Sequence, residues 1–155
     1  MRPSLGILPV VMYMKNSKEM LSSILKTTQM GQVGIRSVLD SAVGPGLRKA
    51  LESQLQEYDI IESEAHAIAG QRGWELSELD PMVRFMSGMM SRAKLGRGNA
   101  DSKIAGMMIQ GNTRGIIMGL KDLHQGHQVD QQVRDLSQRL LDTEEANIKQ
   151  MQGYL

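Results

Sequence analysis

Apolar and polar positions repeat along the chain with the period of an α-helix. Leu21, Leu25, Thr28, Gln32, Ile35 and Leu39 step by 4, 3, 4, 3 and 4, the spacing of a bundle seam. This predicts a first helix over 17–41. Asn16 or Ser17 can cap it, Glu19 supplies a first-turn carboxylate, and Val43-Gly44-Pro45-Gly46 stops it. A second seam of Leu51, Leu55, Tyr58, Glu62, Ala65 and Ala69 predicts a helix from Pro45 to 69, closed by Gly70-Gln71-Arg72-Gly73. A third helix begins at Asp101 or Ser102 and runs to 124, with Ile109, Thr113, Ile116, Leu120 and Leu123 inward. A fourth covers 128–153, with Val133, Leu136, Leu140, Thr143, Asn147 and Gln150 inward. The connections within each pair are short, so each pair should form an antiparallel hairpin.

Between the pairs lies a crossover of about thirty residues. Asp80-Pro81 is a strong helix start, and Met82, Phe85, Met86, Met89 and Met90 form an apolar stripe ending near Lys94. Such a stripe serves as a lid over the bundle end or as an adaptable partner groove. The apolar run Leu5–Met14 precedes the first helix. A bilayer span takes roughly 20 residues, so this run is too short, and it lacks a small-residue cleavage site. Residues 1–15 are read as an apolar leader or arm, and 16–155 as a single domain.

The hairpins repeat each other in chemistry. Gln29, Gln32, Gly34, Ile35 and Leu39 align with Gln110, Thr113, Gly115, Ile116 and Leu120. Asp59 and Glu62 on the second helix align with Glu144 and Asn147 on the fourth. Spacing of three places each pair on one helical face. Gln29, Gln32, Asp59, Glu62, Gln110, Thr113, Glu144 and Asn147 should therefore form a buried polar layer that fixes register. Gly34 and Gly115 suggest a close approach of the first and third helices.

This arrangement resembles the ferritin-like superfamily: an all-α four-helix bundle of two hairpins joined by a long crossover that contains a short helix. The resemblance covers 17–153 and is to a bacterial branch with degenerate di-metal ligands. Di-metal members carry a Glu on each of two helices and Glu-x-x-His on the other two. The resemblance puts those positions on Gln29, on Asp59 and Glu62, on Gln110, and on Glu144 and Asn147. Both single Glu positions hold Gln, and neither His position holds His. Replacing two carboxylates by amides removes two negative charges, so redox di-iron chemistry is expected to be lost. The alternative is a divalent metal on oxygen ligands, using Asp59, Glu62 and Glu144 with His66 one turn after Glu62.

Composition narrows the remaining classes. Aromatics are 3% of residues and methionines number 13, so the core must be aliphatic and Met-filled. The net charge of +1 provides no basic stripe for nucleic acid, and Arg92, Lys94 and Arg97 read as a solvated loop. Having no cysteine excludes disulfides and thiolate metal sites. Gly96-Arg97-Gly98 lacks the strand context of a phosphate loop. His124-x-x-His127 straddles Gly126 and reads as a solvent-exposed loop. The expected function is that of a non-catalytic cytoplasmic bundle without a cofactor. It would act through self-association, as a homo-oligomer and most simply a dimer, or through a protein partner.

Overall fold

The computed structural model describes residues 15–39, 41, 43–80, 100–126 and 128–155. Four helices account for most of them: α1 (Ser17–Leu39), α2 (Pro45–Arg72), α3 (Ala100–Gln125) and α4 (Gln131–Gln152). The ends follow local chemistry. Asn16 caps α1, its Oδ1 accepting the Glu19 N–H at 2.8 Å. Pro45 occupies the first turn of α2, where a missing N–H costs nothing. Gly73 closes α2 at φ 64°, a left-handed conformation suited to glycine, and the Trp74 N–H returns to Ala69 O at 2.9 Å. The apolar arm 1–14 and the Met-rich stripe lie outside the described residues.

Contacts at the helix ends fix the directions. The start of α1 meets the end of α3, where the Lys15 N–H donates to Gln125 O at 3.2 Å. Beyond the end of α1, the Gly44 N–H donates to Asp101 Oδ1 at the start of α3, at 3.0 Å. The last turn of α2 meets the start of α4 through Arg72 and Asp130. Thus α1 is antiparallel to α3, and α2 to α4. Within each hairpin α1 packs on α2 and α3 on α4.

The shared interior is aliphatic and methionine-filled, with Met20, Leu21, Leu25, Leu47, Leu51, Ile61, Ile104, Val133 and Met151 all inaccessible to solvent. Each such side chain contributes roughly 1.5–3 kcal/mol by leaving water. Truncating one, as in Leu51→Ala, removes roughly 2–5 kcal/mol because a cavity remains. The segment after α2 turns back along α1. Trp74 and Leu76 pack on the core, the Ser77 N–H donates to Ser22 Oγ at 3.1 Å, and the Leu79 N–H donates to Gln29 Oε1 at 2.9 Å.

On α3 the inward face differs in part from the expected one: Ile109 and Leu123 do pack, partly buried, against the core. Met108, Asn112 and Gly115 are buried, whereas Gln110, Thr113 and Leu120 are exposed. Asn112 and Gly115 face inward where the Tyr58 hydroxyl and the Glu144 carboxyl meet them. Lys15, assigned to the arm, instead joins the bundle through an ion pair with buried Asp122, which also accepts from Ser23 Oγ.

Candidate functional site

Tyr58 stands at the centre of the bundle. Its ring lies where a Cβ on Gly31 of α1 would be, 2.5 Å from such an atom. Only glycine allows α1 to come that near. The hydroxyl donates to Asn112 Oδ1 of α3 at 3.0 Å and accepts from Asn147 Nδ2 of α4 at 3.3 Å. Asn147 Nδ2 also reaches Asn112 Oδ1 at 3.1 Å, and Asn112 Nδ2 donates to Met108 O at 2.7 Å. Burial, with the nearby Glu144 charge, pushes the Tyr58 phenol well above its ordinary value.

This phenol divides the polar residues into two clusters. The first lies along the α1–α2 seam. Gln29 Nε2 donates to Glu62 Oε2 at 3.1 Å and to Glu78 Oε1 at 2.8 Å. Gln32 Nε2 donates to Asp59 Oδ1 at 2.8 Å and to Glu62 Oε1 at 3.2 Å. Two glutamines three apart thus face two acids three apart, and each amide N–H group serves two carboxylates. The Leu79 N–H bond to Gln29 Oε1 fixes which end of that amide faces the acids. Arg36 lies 3.6 Å from Asp59, and His66 Nε2 lies 3.7 Å from Glu78 Oε1. One ligand atom each from Glu62, His66 and Glu78 falls within 4.8 Å of the others.

The second cluster lies inside, around Glu144. This carboxyl rests against the α3 backbone at Gly115, where an added Cβ would come within 1.8 Å of Oε2. It is 2% exposed, and its Oε1 has no hydrogen-bond partner. Burial pushes its pKa from 4.5 to about 8, so the group is predominantly protonated at neutral pH. Gln54 Nε2 donates to Gln150 Oε1 at 2.8 Å nearby.

The positions predicted from sequence are therefore dispersed. Gln29, Gln32, Glu144 and Asn147 are buried, Glu62 is half-buried, and Asp59 and His66 are exposed. Glu62 and His66 meet Glu78; Glu144 joins neither them nor Asp59 in a ligand group. Gln110 and Thr113 are on the outside of α3, and the Thr113 hydroxyl bonds back to Ile109 O. Gly34 and Gly115 do different work: Gly34 meets Met108 of α3, and Gly115 meets Glu144 of α4. Sequence reasoning missed Asn112, Glu78 and the polar role of Tyr58. One signal for Asn112 was present: Ile104, Met108, Asn112, Gly115, Gly119 and Asp122 also step by three and four.

No family model matches the chain, and none of the curated proteins does either. A solved structure does share the fold. The chain aligns with the crystal structure of a DUF305 fragment from Deinococcus radiodurans at TM-score 0.68 and 18% identity, over 88% of this chain and 93% of that one. The likeness is one of fold: all-α, four helices, and no strand among the described residues. Among those residues no helix is long and apolar enough to cross a membrane.

Proposed function

We propose that the protein is a non-catalytic bundle of ferritin-like topology, with its hairpins joined by a crossover, acting by self-association or through a protein partner. The observation that carries this reading is the Tyr58 phenol between α1, α3 and α4. It occupies the middle of the interior and separates Asp59 and Glu62 from Glu144. A di-metal centre needs its carboxylates to converge on a shared pair of ions. Here the seam carboxylates are held by amide N–H donors, and Glu144 stands apart from them on α4. This donor set does not suit a di-metal cofactor. Contact surface is available on the outer face of α3, where Ile117 and Leu120 are nearly half exposed.

A second reading rests on Glu62, His66 and Glu78, whose spacing suits one divalent cation on two carboxylates and an imidazole. Metal content measured by mass spectrometry, after expression in metal-supplemented medium, separates the readings. The leading one expects far less than one equivalent. Stoichiometric metal lost in Asp59→Ala/Glu144→Ala would overturn it, whereas metal lost only in His66→Ala/Glu78→Ala would establish the second. Light scattering tests association. A monodisperse monomer, unchanged by deleting the residues before Ser17, counts against self-association.

A further inference from the structure

A cavity of about 510 Å³ opens between α1 and α3. Met30, Val33, Met107, Met108 and Met118 give it apolar, deformable walls, and Tyr58, Asn112 and Glu144 border its inner end. The volume falls within the range of small-molecule sites. We infer that this cavity binds a small neutral amphiphile, an apolar body carrying one hydroxyl or amide donor, whose head meets the Glu144 carboxyl.

Three features carry the assignment, none of which depends on the association reading above. First, the Tyr58, Asn112 and Asn147 groups are already matched, whereas two acceptors on the cavity lining, Gln54 Oε1 and Glu144 Oε1, are not. Tyr58 O–H and Asn147 N–H both go to Asn112 Oδ1, which has two lone pairs and is thereby filled. Glu144 Oε1 is left as a buried acceptor with no donor, and such a group costs stability until one arrives. Second, the wall is open at one point: a Cβ on Gly111, an exposed residue of the lining, would meet nothing within 4 Å. Third, the charge balance favours a neutral head. The inner end holds a protonated acid and a neutral phenol, so neither a cation nor an anion finds a counter-charge there. The cations that border the cavity, Lys26 and Arg114, are exposed residues of α1 and α3.

The test uses the full chain and three six-carbon probes: 1-hexanol, hexylamine and hexanoate. Backbone amide shifts of Gly31, Gly111 and Gly115 are followed by NMR at pH 6.5. Saturable hexanol binding is expected, tighter than that of either charged probe. Gly111→Leu, which adds bulk to the cavity wall, should abolish it while leaving the circular dichroism unchanged. Glu144→Met removes the acceptor and should weaken hexanol by about 5-fold, the worth of one neutral hydrogen bond. No saturable binding overturns the proposal, as does binding retained in Gly111→Leu. Tighter hexylamine or hexanoate overturns the neutral head. Equal hexanol affinity in Glu144→Met overturns the role of Glu144.

Discussion

Glu144 makes stability depend on pH with an unusual sign for a carboxyl. In the folded chain its pKa is about 8, against an ordinary 4.5. The folded state therefore keeps a proton that the unfolded chain sheds between those values. Its contribution to stability is fully present below about pH 4.5 and is lost as pH rises through about 8. At 1.36 kcal/mol per pH unit, the whole gap is worth at most about 5 kcal/mol. Relaxation of the charged side chain toward water reduces this to roughly 2–4 kcal/mol, still a large share of a typical 5–15 kcal/mol. The groups facing Glu144 do not obscure the effect, because Tyr58 stays neutral to well above pH 9 and Asn112 and Asn147 do not titrate. Glu144→Gln keeps the shape and removes the titration. Urea unfolding, followed by fluorescence of the sole tryptophan, Trp74, gives the free energy at pH 5, 7 and 9. Wild type should lose about 2–4 kcal/mol relative to Glu144→Gln between pH 5 and 9. At pH 5 the two should lie within about 1 kcal/mol. Parallel pH profiles would refute the buried, protonated state.

Other substitutions probe the packing around the same centre. Gly31→Ala drives a methyl into the Tyr58 ring, which its hydroxyl bonds hold in place, and should cost roughly 1–3 kcal/mol in thermal unfolding. Gly111→Ala meets open space and should stabilise by up to about 1 kcal/mol. Gln29→Ala removes the tie between α1, Glu62, Glu78 and the Leu79 amide, and should speed hydrogen exchange of that amide about tenfold or more. Asp122→Ala strips the partner from Lys15 and from Ser23 and should cost roughly 1–3 kcal/mol. Arg139→Ala, which breaks a surface pairing with Glu57 and Glu64, should cost under about 1 kcal/mol, and less in high salt.

The four helices were legible because their signals are local. Asn16, Pro45 and Gly73 mark ends through backbone chemistry that needs no tertiary partner. The inward face of α1 was legible too, since Leu21, Leu25, Thr28, Gln32 and Ile35 are all buried. The inward face of α3 was legible only in part. Ile116 and Leu120 outweigh Asn112 and Gly115 on any hydrophobic scale, yet a seam accepts what its partners leave room for. Tyr58 and Glu144 arrive from α2 and α4, and only small residues fit against them. Glu78 was out of reach for another reason. It lies beyond α2, and only the return of that segment along α1 brings it to Gln29.

The positions that align between the two hairpins do not share burial. On α1 the buried positions include Thr28, Gln29, Gln32 and Ile35; their counterparts on α3 are Ile109, Gln110, Thr113 and Ile116, yet α3 buries Met108, Asn112 and Gly115. On α2 Tyr58 and Ile61 face in, and their counterparts on α4 are Thr143 and Ala146, yet α4 buries Glu144 and Asn147. Around the polar residues the buried set is thus displaced from the aligned one by one residue, backward on α3 and forward on α4. One tyrosine ring fills the bundle centre, and Thr143 at the matching position supplies no second ring. The space opposite is met by small groups of α3 and by a carboxyl of α4. A symmetric layer would have set four acidic or amide positions face to face, as a shared ion requires. The observed one leaves Gln29 and Gln32 paired with acids along the α1–α2 seam, and Glu144 beside a cavity that Gln54 also lines. Aligned residues share chemistry only while they share burial, and around Tyr58 they do not.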